Sequence, residues 1–245
     1  NKFPETYKII YFDNQEYFKR LFNFLQASLN ISYSAFHLIT LIILNPDFTR
    51  EDPPDFDNFL TDKKWGNIMN FFEQKRQYKT NVDISRNFKK MLLFSAAYLR
   101  FGSAFFYKFD KYDFFARLLE LMNNNFLTFS ESVVAVKCLS NAIMFSGSET
   151  QIYSLFEKGV LPVFLSILEN DSDEELTLEI LESIRIIYEV CKNANDSHIE
   201  QIPPTAAEEF TALFAEESGF EILMDLKTCT EMAQLLNELI DPPSC

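Results

Sequence analysis

Residues 141–168 read NAIMFSGSETQIYSLFEKGVLPVFLSIL. Asn141 to Phe145 end an amphipathic helix, Ser146-Gly147 break it, and residues 149–158 form a short helix. Gly159 then turns the chain, and a further helix opens with Pro162. Each break has a physical basis. Glycine adopts the left-handed angles that end a helix, and proline is tolerated in a first helical turn because its missing N–H has no partner there. Helices joined by such tight breaks form one unit, whose apolar faces need neighbours of the same kind to cover them.

The unit repeats. Two apolar residues, one other residue and two apolar residues occur as Leu21-Phe22-Asn23-Phe24-Leu25 and as Ile68-Met69-Asn70-Phe71-Phe72. The pattern returns as Leu118-Leu119-Glu120-Leu121-Met122 and Phe164-Leu165-Ser166-Ile167-Leu168, with successive starts 47, 50 and 46 residues apart. A weaker copy, Leu223-Met224-Asp225-Leu226, starts 59 residues further on. Any amphipathic helix places apolar residues at i, i+1, i+3 and i+4, but a lone helix does not supply the near-constant spacing. Periods of about 40–47 residues suit armadillo or HEAT units of two or three helices.

A polar break and a longer apolar helix follow each copy, at about 32–44, 83–101, 130–145 and 174–193. Asp83 and Ser130 are candidate N-caps, the break before the second long helix spans 74–82, and Gly102 and Gly147 close their units. Short helices are expected at about 56–62, 104–110, 149–158 and 205–215, with a last helix at about 230–239. Loops are expected at 46–56 and 194–204. No segment sustains the alternation of a strand, so the chain reads as all-α: an α-solenoid of about five armadillo- or HEAT-like units in a single domain over residues 1–245.

Composition narrows the function. Among 245 residues there are 5 glycines, too few for glycine-rich phosphate loops, and 27 phenylalanines, read as core filling. The net charge of −14 is concentrated: residues 1–168 hold 19 Lys+Arg and 17 Asp+Glu, whereas residues 169–245 hold 3 and 19. So acidic a third disfavours nucleic acid and anionic membranes and favours basic partners. The basic residues Lys75, Arg76, Lys79, Arg86, Lys89 and Lys90 read as the solvated face of a loop. The most apolar run, 35–44, is shorter than the roughly 20 residues a membrane span needs. Cys138, Cys191, Cys229 and Cys245 lie far apart and only His37 and His198 accompany them, so neither a zinc site, a disulfide framework nor a cofactor is expected. No Gly-x-Ser-x-Gly, phosphate-loop or His-Glu-x-x-His motif occurs, and the chain reads as non-catalytic.

Residues 139–168, LSNAIMFSGSETQIYSLFEKGVLPVFLSIL, resemble an armadillo repeat of the importin-α (karyopherin-α) family. LTLEILESIRIIYEV at 176–190 is similar to the third helix of the penultimate unit in that family, and AEESGFEILMDLKTCTEMAQLLNELID at 215–241 to its atypical last repeat. The resemblance covers about 126–241, and residues 1–125 are divergent units that share only the rhythm. It implies a concave groove in which a Trp and an Asn, four residues apart on each third helix, hold an extended basic peptide. Asn141 matches the Asn, and Lys137 stands where the Trp would be. The pair maps to Glu182 and Ile186 in the next unit and near Leu92 and Ala96 in the preceding one, while the only tryptophan, Trp65, lies off this ladder. Glu179 and Glu182 are the acidic residues expected to attract a cationic ligand. The implied function is an adaptor recognising basic nuclear localisation signals, with importin-β, an export receptor or nucleoporins as further partners, in the cytoplasm and nucleus. The alternative is a non-catalytic scaffold subunit packed within a larger protein complex.

Overall fold

The computed structural model describes residues 20–21, 23–24, 29–43, 62–170, 173–194 and 201–240. Every regular element among them is a helix. In chain order these are α1 (Leu29–Ile43), α2 (Asp62–Gln77), α3 (Val82–Leu99), α4 (Ser103–Lys111), α5 (Phe114–Asn123) and α6 (Phe129–Ser146). They continue as α7 (Glu149–Glu157), α8 (Val160–Glu169), α9 (Glu174–Lys192), α10 (Ala206–Glu216), α11 (Gly219–Asp225) and α12 (Thr230–Ile240). Residues 22 and 25 of the motif copy at 21–25, the short helix expected at 56–62 apart from Asp62, the loop at 46–56 and residues 195–200 of the insertion at 194–204 lie outside the described residues.

The helices form three rows. Second helices α2, α5, α8 and α11 pack in that order, and so do third helices α1, α3, α6, α9 and α12. The short helices α4 and α7 pack on each other. Each element touches its counterpart one unit away, which is the definition of a solenoid. The recurring apolar motif falls on the second helices, as its spacing requires: Leu118, Leu119 and Leu121 on α5 and Phe164, Leu165, Ile167 and Leu168 on α8 are all buried.

The turn between short and second helix has one geometry in three units. Asp113 (φ 57°), Gly159 (φ 87°) and Ser218 (φ 56°) each adopt the left-handed conformation immediately before the second helix. Only the middle unit uses glycine there, which is why it alone displays the turn plainly in sequence. In the last unit glycine sits one residue later for a different reason: a Cβ on Gly219 would lie 2.6 Å from the Phe214 ring.

Aromatic packing joins the units. Trp65 stacks on Tyr112 (centroids 5.1 Å, 14°) and meets Phe109 edge-on at 4.8 Å, while Phe109 meets Phe114 edge-on at 4.7 Å. Farther along, Phe210 of α10 lies 5.7 Å from Phe156 of α7 and 5.2 Å from Tyr188 of α9. Such pairs add roughly 0.5–1.5 kcal/mol each beyond the area they bury.

Three local expectations are corrected. Asn81, not Asp83, caps α3, its side-chain oxygen accepting from the N–H groups of Asp83 and Ile84 at 3.0 and 3.1 Å. Thr128, not Ser130, caps α6: the Glu131 carboxylate accepts from the Thr128 N–H (2.7 Å) and hydroxyl (2.8 Å), which suits the Thr-x-x-Glu spacing of a capping box. The break expected at 74–82 is shorter, because α2 continues to Gln77. Its last turn carries Lys75 inward to full burial, so the basic cluster is not one solvated loop face. Arg76 instead pairs with Glu73 at 3.3 Å and also with Glu120 of α5.

Candidate functional site

The third-helix row carries an open cleft of about 430 Å³ across α3, α6 and α9. Leu93, Ala96, Ala97 and Arg100 form one wall. Lys137, Asn141, Met144 and Phe145 of α6 form the floor, and Glu175 and Glu179 of α9 the other wall. The helical period explains the set: 137, 141 and 144 recur at spacings of four and three along the face of α6 that is not packed inward. Asp173 sets the start of α9, accepting from the Leu176 N–H at 3.0 Å, and thereby places Glu175 and Glu179 one turn apart on the same face.

Asn141 donates from Nδ2 to the Ala96 carbonyl at 2.9 Å, a side-chain bond between successive third helices that fixes the amide at the bottom of the cleft. Lys137 Nζ lies 3.7 Å from a Glu175 carboxylate oxygen, with Glu175 78% exposed. An ion pair so wetted contributes about 0.2–1 kcal/mol and opens readily. The Arg100 guanidinium lies over the Phe145 ring, 5.8 Å from its centroid. Burial raises the carboxyl pKa of Glu179 above 4.5; Glu175 and Asp173 push it the same way, while Lys137 and Arg100 pull it down. Glu179 is thus a half-buried carboxylate whose ionised form gains from a nearby cation.

The sequence-derived site residues divide. Lys137, Asn141 and Glu179 come together in the cleft, whereas Glu182 is not among its lining residues. The Arg185 side chain holds Glu182, donating from Nε at 3.0 Å, and also reaches Glu189. The hydrogen bonds from Arg185 depress the Glu182 pKa. In the preceding unit Ala96 lines the cleft, but Leu92 is fully buried and its neighbour Leu93 takes the lining position. Arg100, Glu175 and Phe145 were missed. Glu175 was legible as the residue four before Glu179, and Arg100 had no local signal because its relation to Phe145 spans 45 residues.

The other chemistry-bearing groups lie apart. Cys138 donates from Sγ to the Leu92 carbonyl at 3.0 Å, and burial pushes its pKa far up, which keeps the thiol neutral. No group of three or more His, Cys, Asp or Glu suited to a metal ion occurs among the described residues. No single helix among them is long and apolar enough to cross a membrane.

No protein-family model matches the chain, and no curated protein matches it. Solved structures do. A designed armadillo repeat protein superimposes with a TM-score of 0.53 at 14% identity, covering 91% of this chain and 99% of its own. A second designed armadillo repeat protein, solved in complex with peptide (KR)4, gives the same values. An engineered protein reaches 0.56 at 13% identity, covering 91% and 98%. At such identities the likeness concerns the fold. The chain is an all-α solenoid with an armadillo-like repeat fold.

Proposed function

We propose that this solenoid is a non-catalytic, peptide-binding adaptor that holds an extended segment of another protein along its third-helix row. The observation that carries the reading is the cleft in which Asn141, anchored to Ala96, stands beside the carboxylates of Glu175 and Glu179. A fixed side-chain amide suits the backbone of an extended peptide, which carries donors and acceptors and no fixed charge. Carboxylates one turn apart suit a lysine or arginine side chain, and Glu179 gains from the pairing because burial disfavours its charge. The designed armadillo protein solved with (KR)4 supports a cationic peptide as the ligand class for this fold.

The finer reading follows from the resemblance of 139–168 and 215–241 to importin-α: recognition of basic nuclear localisation signals, with importin-β, an export receptor or nucleoporins as partners, in the cytoplasm and nucleus. The test is fluorescence anisotropy with a labelled Lys/Arg-rich peptide across a salt series. Expected is micromolar binding that weakens with salt and falls at least tenfold in Asn141→Ala and in Glu179→Ala. Absence of binding at about 100 μM, where roughly 5 kcal/mol would register, overturns the recognition of uniformly basic signals.

A scaffold subunit is the second reading. It is favoured by the last unit, where Met224 is 69% and Leu235 62% exposed. It predicts a partner seated on α11 and α12, lost in Leu235→Glu with the cleft intact.

A further inference from the structure

The third-helix row carries a gradient of charge. Helix α1 holds no acidic or basic side chain other than His37. Helix α3 with its cap Arg100 is net +3, from Arg86, Lys89, Lys90 and Arg100 against Asp83. On α6, Glu131 is turned inward to Lys75, which leaves Lys137 as that helix's charge at the cleft. Helix α9 is net −3, five glutamates against Arg185 and Lys192, and α12 adds Glu231 and Glu238. Within the cleft the change of sign is local: Arg100 and Lys137 face Glu175 and Glu179 across one open space.

A uniformly cationic peptide fits only half of this row. Packed helices lie about 8–10 Å apart, so α3 to α9 spans roughly 16–20 Å, or about five to six residues of extended chain. A Lys/Arg run of that length with one end at Glu179 would set its other end against Arg100 on the α3 wall. Resting on the adaptor reading above, we propose that the groove selects a charge-split peptide: a Lys/Arg block over α9 and α12, joined within about six residues to an Asp/Glu block over α3. Lys137 is the residue that determines this specificity, because it occupies the α6 position between the two blocks and meets the acidic one. A peptide carboxylate takes over the Lys137 ammonium from Glu175 and so frees Glu175 for the peptide's cations.

The experiment compares four labelled twelve-residue peptides on the wild-type chain: basic block then acidic block, the reverse order, all basic and all acidic. One block order is expected to bind at least tenfold tighter than the other, since a directional groove cannot seat both, and tighter than either single-sign peptide. Lys137→Glu is expected to weaken the preferred peptide and to strengthen the all-basic one by about tenfold each, and a circular-dichroism melt of that variant checks its fold. Equal affinity for the two block orders overturns the inference, as does tightest binding of the all-basic peptide that still depends on Asn141 and Glu179; in both cases the adaptor reading stands. Binding of none of the four overturns the adaptor reading itself. Salt-sensitive self-association without peptide binding, seen by sedimentation, assigns the gradient to contacts between copies of the chain and overturns the inference as well.

Discussion

The Lys75 ammonium lies 2.8 Å from the Glu131 carboxylate with both side chains shut off from solvent, at 0% and 1% exposure. Lys75 Nζ also donates to Ser85 Oγ at 2.7 Å and to the Lys79 carbonyl at 3.0 Å. Glu131 meanwhile caps α6 through Thr128. One buried pair therefore ties α2 to α3 and to the start of α6, across two units.

Removing one partner leaves a buried charge uncompensated. Lys75→Met and Glu131→Leu are each expected to cost about 3–5 kcal/mol in urea denaturation. The double variant is expected to regain much of the loss, because the second substitution removes the stranded charge. A double variant as unstable as the sum of the two singles would show that the pair is not coupled.

The two residues at the start of α11 separate backbone strain from crowding. Ser218 is left-handed without being glycine, so Ser218→Gly is expected to raise stability by about 0.5–1 kcal/mol. Gly219→Ala drives a methyl group into Phe214, which is fully buried, and is expected to cost about 1–3 kcal/mol. Thermal melts check both. In Gly219→Ala/Phe214→Leu part of the loss should return.

On the proposed adaptor function, Glu179 sets opposite demands on stability and binding. Its folded-state pKa is raised by burial, so the folded chain favours the protonated carboxyl and is penalised once pH exceeds the unfolded value. Glu179→Gln is accordingly expected to raise the melting temperature at pH 7 and to leave it unchanged well below pH 4. The same variant should lose affinity for a cationic peptide. In the wild type, that affinity should fall as acidification protonates Glu179, beginning above the ordinary carboxyl value of 4.5.

His37 and Lys90 predict a second pH effect at the junction of α1 and α3. Lys90 Nζ lies 3.2 Å from His37 Nδ1; an ammonium only donates, so the imidazole accepts there and carries its proton on Nε2. Burial first, and the Lys90 charge second, lower the His37 pKa from 6.5. A depressed histidine gives stability that is present above the unfolded pKa and lost as pH falls through it. Denaturation midpoints measured between pH 7 and 5 should drop more in the wild type than in His37→Gln.

The sequence by itself determined the helical rhythm, the near-constant step between second helices and the placement of Lys137, Asn141 and Glu179 on third helices. These rest on periodicity, which a chain displays locally because each helix must turn one stripe toward its own unit. The capping pair Thr128 and Glu131 was equally local, a Thr-x-x-Glu spacing that sequence alone could reveal. Only the tertiary structure decided which of the outward-facing side chains meet across neighbouring units. Lys75 reads as a loop cation and is instead a buried cross-link to Glu131, and Arg100 joins a cleft with residues from two later units. Those contacts join residues roughly 45 positions apart or more, and periodicity orients a side chain about its own helix without naming the neighbour it will meet.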